Sequence, residues 1–470
     1  MKQGGKDLTK GNEAKVILKF ALPMMVGNIF QQLYNVTDAA IVGKFVGTRA
    51  LSATGISFPI LFMLSSMIIG FAIGGTILIS QYYGAGKYKD VKKTADTLQI
   101  IMVGLALIIS IVGIAFSKEI FVLLNFPPDN MDMAVSYFEI LMSGNIAIFG
   151  YNSLAATLRG LGDSQTPVKF LILSSIVNII LDIVLVVFFN YGVNGAAWAT
   201  VISYFMAYIS DILYLNARHK MIRIDFSMRF DKNIFKKIIQ LGLPSSAQMV
   251  LVSSGNLLFF SIVNLFGTGV IAAYTAVSRI NSFATMPSMF FSSALTAFVG
   301  QNTGAGKFKR IRRGLYATMM IVGIISLFFT AIALLMPNFL MKLFTNDYQV
   351  IATGVDYFRK VSPFYIVFAM MFSYNALYRG TGNTLVPMYI AFVALWLVRF
   401  PAAILLALNL SFNPFQLIPV DFSRLWWSEP IGWSTGLILA TSYYLSNKWL
   451  IQARKKATKM QAGHIISGKN

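Results

Sequence analysis

Four oxygen-bearing side chains stand inside long apolar runs that would otherwise exclude them. Asp38 lies in the run 15–43, Asn178 and Asp182 in 167–190, and Thr200 in 193–216. Asn178 precedes Asp182 by about one helical turn, so both project from one helix face. At ~1.5 Å of rise per residue, Asp38, Asp182 and Thr200 fall ~8, ~12 and ~10 Å from the same boundary. An ionisable group at the centre of a bilayer costs ~2.5–3.5 kcal/mol on insertion scales, so such groups face an interior or a cavity. Two carboxylates, an amide and a hydroxyl suit a hard monovalent cation such as Na+. Two close carboxylates equally suit one shared proton, because like charges resist ionising together. The competing reading is a set of unrelated polar residues, each hydrogen-bonded within a helical bundle.

The elements that position these groups follow from composition. The chain has 470 residues, 56% apolar and 12% charged, against about 25% charged in a soluble domain. That excludes a soluble enzyme and a disordered chain, and indicates an all-α polytopic membrane protein. There is no cysteine and there are two histidines, so disulfides, thiol catalysis and Cys- or His-based metal sites are excluded. No Ser/His/Asp set, paired catalytic carboxylates or ATP loop is present, so the chain reads as a non-enzyme.

Twelve apolar runs can be drawn: 15–43, 51–79, 93–117, 134–158, 167–190, 193–216, 237–264, 271–300, 313–336, 353–378, 385–409 and 431–450. The net charge of +21 is not a nucleic-acid signal. Of 39 Lys and Arg, 30 fall in every second connection and the termini, 5 in the alternate connections and four within runs. This bias places both termini in the cytoplasm. The basic N-terminus resembles a signal peptide, but the following run is long and lacks a small-residue cleavage site, so it reads as a retained first span.

The chain also repeats itself. Gln81-Tyr-Tyr-Gly84-Ala85-Gly86-Lys87 recurs as Gln301-Asn-Thr-Gly304-Ala305-Gly306-Lys307. Arg159-Gly160-Leu-Gly162-Asp163 with Pro167 recurs as Arg379-Gly380-Thr-Gly382-Asn383 with Pro387. Six spans per half is an even number, so the halves are parallel repeats, an arrangement found in secondary transporters. The organisation expected is a cytoplasmic N-terminal segment 1–14, an N-lobe 15–216, a basic linker 217–236, a C-lobe 237–452 and a basic cytoplasmic tail 453–470. The Gly-Ala-Gly-Lys pair is no phosphate loop, because Gln81 and Gln301 stand where a Walker glycine is needed. It reads as a tight turn, and the Arg-Gly-x-Gly pair as a capped helix end before a proline-opened span.

Other charges within runs carry weaker signals. Glu139 and Asp356 lie near outer ends, Asp96 and Asp211 near inner ends within reach of water, and Arg279 and Arg359 within snorkelling reach of the interface. Arg399 lies mid-span, so it must face a cavity or pair with a polar neighbour. At the repeat offset Asp38, Asn178 and Asp182 map to Leu258, Val398 and Ala402. The second half has lost the acids and gained a base.

Asn35-Val-Thr-Asp38 with Val42-Gly43, together with the two repeated motifs, resembles the multidrug and toxic compound extrusion (MATE) family over about residues 10–455. The resemblance implies two six-helix lobes around a central cavity and an antiporter that exports amphipathic, often cationic compounds by alternating access. Asp38, Asn178, Asp182 and Thr200 match the N-lobe polar cluster of the DinF-like branch, where H+ or Na+ coupling is placed. Asn35 and Arg399 are then candidates for the substrate cavity. The implied surroundings are the inner or plasma membrane, small-molecule substrates and the lipid bilayer, with no nucleic acid, no cofactor beyond the coupling ion, and a monomeric state. A lipid-linked flippase of the same superfamily is the alternative; a count of twelve spans favours export.

Overall fold

The computed structural model describes residues 5–123, 126–218, 222–224, 228–410, 417–419 and 421–467. It divides into two compact units, Met1–Leu8 with Lys19–Ser246, and Thr9–Leu18 with Ala247–Asn470. Among the described residues nine helices are long and apolar enough to cross a bilayer, and a bent pair makes a tenth. The helices Thr48–Gly84 and Ser428–Leu445 complete twelve spans. Spans 1 to 6 are Glu13–Val46, Thr48–Gly84, Tyr88–Ala115, Pro128–Ser143 with Asn145–Gly160, Gln165–Phe188 and Gly192–Arg218. Spans 7 to 12 are Lys232–Asn264, Thr268–Gly304, Phe308–Leu335, Tyr348–Gly380, Leu385–Ala407 and Ser428–Leu445. A spanning chain must satisfy its backbone internally, which is why helix dominates. Two three-residue strands, Leu408–Leu410 and Leu417–Pro419, pair antiparallel in the connection between spans 11 and 12.

Helix ends follow local chemistry. After spans 2, 4, 8 and 10 a glycine with positive φ turns the chain: Gly86 (72°), Gly162 (86°), Gly306 (69°) and Gly382 (81°). Each closes the same cap. Lys87 N donates to Tyr82 O at 2.9 Å and Gly86 N to Tyr83 O at 3.1 Å; Lys307 and Gly306 repeat this on Asn302 and Thr303 at 2.8 and 3.1 Å. This is the Schellman pattern, which glycine enters without strain. Spans 4 and 10 break at matching places, the first bending by 44° around Gly144 and the second passing through a short 3-10 turn at Ser362–Phe364.

Within each unit a close crossing uses small residues at matching places, as expected where lipid removes the hydrophobic drive for helix association. A side chain at Gly160 would meet Ile79 at 2.6 Å and the Thr76 carbonyl at 3.2 Å; one at Gly380 would meet Val299 at 2.6 Å and the Thr296 carbonyl at 2.7 Å. Thr76 Oγ1 donates to Ala156 O at 3.0 Å across the first of these crossings. The opposite faces are apolar and open: Leu107, Ile108, Ile111 and Val112 on span 3, and Met320, Ile324 and Leu327 on span 9, are all exposed. Their helical spacing marks surfaces for lipid. The last helix, Lys448–Ser467, is not a free tail. Trp449, Ala453 and Ala457 are buried, and its Gln452 accepts from Asn383 at 2.8 Å.

Candidate functional site

The first unit brings spans 1, 5 and 6 together, although span 1 is remote from the others in sequence. Spans 1 and 5 both widen into π-helix beside their carboxylates. Val42–Val46 begins one turn after Asp38, and Ile183–Phe188 begins directly after Asp182. A π-turn shifts the register of every side chain beyond it, and such turns gather at functional sites. Both π segments pack on span 6 and on each other.

Asn178 and Asp182 are 1% and 0% exposed. In the amide orientation that satisfies both its ends, Asn178 donates to Asp182 Oδ2 at 3.1 Å and accepts from Thr200 N at 3.2 Å. The opposite orientation offers only a 3.4 Å contact from Asn178 Nδ2 to Thr200 Oγ1, so the first is favoured. Asp38 lies within electrostatic reach of Asp182. Tyr137 on span 4 lies within reach of both, and Tyr34 lies beside Thr200, Asp38 and Tyr204. Asp38 Oδ1 and Asp182 Oδ1 are buried with no hydrogen-bond partner. A buried carboxylate oxygen left so is costly unless a proton or cation meets it. The chemistry fits either one proton held between two acids or one Na+ ligated by carboxylate and amide oxygens.

Asn35, one turn before Asp38, is exposed, and its Nδ2 lies 3.3 Å from Gln32 Oε1. Arg399 is in the second unit, 7% exposed, at the end of a third π segment, Phe392–Arg399. Its Nη2 donates to Glu429 Oε1 at 2.8 Å, its Nη1 to Asn256 Oδ1 at 3.4 Å, and its guanidinium lies 4.5 Å from the centre of the Phe259 ring. Tyr357 hydroxyl donates to Glu429 Oε2 at 2.9 Å. The mid-span base is therefore neutralised within its own unit. Sequence reasoning missed Glu429, which precedes the apolar run beginning at 431 and looks like a loop acid. The available signal was the mid-span arginine, which needed a counter-ion.

The remaining span charges are mostly spoken for. Asp96 pairs with Lys92 at 2.7 Å, Asp356 with Lys360 at 2.9 Å, and Glu139 accepts from Ser117 at 2.5 Å. Arg279 and Arg359 are exposed. Asp211 departs from the expected access to water, being 0% exposed.

The family model described as MatE matches twice, over residues 23–184 and 244–405, one copy in each half of the chain. The chain belongs to the MatE family. Its relatives include one named a probable multidrug resistance protein, YpnP, of Bacillus subtilis (strain 168), 28% identical over 84% of this chain and 88% of that protein. Another, named a probable multidrug resistance protein NorM, of Thermotoga maritima, is 28% identical over 93% of each chain. The fold of this MatE chain also matches a crystal structure of MATE in the bent conformation. The TM-score is 0.86 at 22% identity, over 98% of this chain and 99% of that one. The twelve-span, two-half architecture and the membrane setting rest on these likenesses together with the apolar helices.

Proposed function

We propose that this protein is a secondary antiporter that exports amphipathic, often cationic compounds across the cytoplasmic membrane by alternating access, driven by H+ or Na+. Both termini face the cytoplasm in this reading, as the Lys and Arg bias requires. The names of the relatives support the substrate class. Asp38, Asn178, Asp182 and Thr200 hold the coupling ion. The observation that carries this assignment is the pair of buried, unpartnered carboxylate oxygens on Asp38 and Asp182, set beside two π-turns on adjoining spans.

The mechanism follows from charge balance. Ion binding neutralises the acids and relieves the burial penalty; ion loss leaves two buried carboxylates that favour a different packing of spans 1, 5 and 6. An ion can shift such an equilibrium only by its difference in affinity for the two states. One charge crossing 100 mV supplies ~2.3 kcal/mol, enough for roughly 50-fold accumulation of substrate. Arg399 enters this reading as half of an ion pair, so coupling is assigned to the first unit.

The test is export of ethidium from lipid vesicles under an imposed proton or Na+ gradient. Asp38→Asn keeps size and polarity and should insert normally, yet lose gradient-driven export. Full export by Asp38→Asn under either gradient would refute the assignment.

A further inference from the structure

Asp211 is the buried acid that the coupling site leaves unused. It lies on span 6, seven residues before the helix ends at Arg218, and is 0% exposed. Both of its carboxylate oxygens lack a hydrogen-bond partner. Asp96, Asp356 and Glu139 each have one, so this is no general feature of acids in the spans.

Its surroundings set opposing demands on its charge. Arg159 and Tyr151, from the second helix of span 4, and Asp163, from the turn after it, all lie within electrostatic reach. A guanidinium favours the carboxylate, whereas burial and a second carboxylate favour the acid. Span 5 packs along the same helix, and its Lys169 is exposed. On span 6 itself Tyr208 accepts from Gln99 at 2.6 Å. A buried carboxyl with no hydrogen-bond partner on either oxygen is costly as an anion and open to a proton.

Span 6 also joins this residue to the coupling site. Thr200, Tyr204, Ala207 and Asp211 follow one another at four-, three- and four-residue steps, which places them along one helix face over ~16 Å. Thr200 belongs to the Asp38–Asp182 pocket. Tyr204 accepts from Gln31 at 3.3 Å, lies within reach of Tyr34, and its ring centre is 6.1 Å from that of Tyr151, the neighbour of Asp211. The first unit thus sets the Thr200 and Tyr204 hydroxyls on the helix face that carries a second orphaned carboxylate, with the Tyr151 ring between Tyr204 and Asp211.

We propose that Asp211 is a second proton site, which takes the coupling proton from the Asp38–Asp182 pocket and releases it on the cytoplasmic side. The proposal rests on the coupling reading above and selects the proton as the ion. In the transfer an O–H bond on the pocket carboxyl breaks and one forms on an Asp211 oxygen, with the Tyr34 and Tyr204 hydroxyls and water entering between Tyr204 and Asp211 handing protons along. No electrons move. Release to water restores the Asp211 carboxylate opposite Arg159, and that attraction opposes return of the proton.

Two measurements on the full chain test it. In pH-difference infrared spectra, the carbonyl band of a buried protonated carboxyl should be lost in Asp211→Asn and retained in Asp38→Asn. In vesicles under an inward pH gradient, Asp211→Asn should export ethidium no faster than without a gradient, with equilibrium ethidium binding unchanged, while Asp211→Glu keeps the drive. If Asp211→Asn does not accumulate in the membrane, Asp211→Glu decides: its band shifts in frequency if residue 211 titrates, and a stationary band sinks the proposal. Wild-type spectra and export in Asp211→Asn overturn the proposal while leaving the coupling assignment intact, provided Asp38→Asn loses its drive. Drive retained by Asp38→Asn instead removes the coupling reading, whatever the band at Asp211 shows.

Discussion

Replacing Arg399 by Met and Glu429 by Leu, singly and together, should give strongly non-additive losses of stability. The pair is 2.8 Å apart with side chains 8% and 4% exposed. At an effective dielectric near 20, that separation corresponds to ~6 kcal/mol of attraction, set against several kcal/mol of desolvation per ion. The intact pair is therefore near neutral in net stability, whereas a lone survivor costs about 3–5 kcal/mol. Arg399→Met should be the worse single change, because it leaves Glu429 with only the Tyr357 hydroxyl at 2.9 Å. Glu429→Leu should cost less. The guanidinium keeps the Phe259 face and the Asn256 carbonyl, and a desolvated cation–π contact is worth about 2 kcal/mol. The double variant leaves one unpartnered Tyr357 hydroxyl, about 1–3 kcal/mol. Glu429→Leu orphans the same hydroxyl, so that cost cancels, and the coupling energy should be roughly 4 kcal/mol or more, above the usual ~3 kcal/mol upper end for residues in one network. Unfolding in a denaturing detergent, followed by tryptophan fluorescence, reports on the site, because Trp426 stacks on Tyr274 with ring centres 5.9 Å apart. Losses that simply add would show that the pair does not hold this part of the second unit together.

Asp182→Asn should match Asp38→Asn in vesicle export, and the double variant should be little worse than either, as for groups acting as one unit; a further large drop in the double would mean two independent sites. The native chain lacks cysteine, so Tyr348→Cys should react with an impermeant thiol reagent added outside intact cells and Lys89→Cys should not; the opposite pattern reverses the orientation. Gly380→Ala should destabilise the second unit by about 1–3 kcal/mol, because its new carbon would press on the Thr296 carbonyl; an unchanged midpoint of detergent unfolding would mean that spans 8 and 10 have slack.

The twelve spans and the two-fold repeat were legible in the residues because they rest on rules that act along one chain. Backbone in lipid must bond to itself, so each long apolar run becomes helix. A glycine that must turn with positive φ keeps its place, as at Gly86 and Gly306, where both caps use the same two bonds. The shared helix face of Asn178 and Asp182 was legible for the same reason, since spacing is counted in residues, and there Asn178 meets both Asp182 and Thr200. Which way each side chain faces was not. The π segments beside Asp38 and Asp182 and before Arg399 turn the following residues out of the ordinary helical register, and no spacing in the sequence announces them. Glu429 lies 30 residues beyond Arg399 and outside the apolar run, so only the packing of span 12 against span 11 makes it the counter-ion. Asp211 lies within two turns of a helix end, a place that spacing alone assigns to water, and the second helix of span 4 covers it. Distance along a helix follows from the chain alone, whereas rotation about its axis is settled by the neighbouring helices, and that rotation brings Glu429 to Arg399 and hides Asp211.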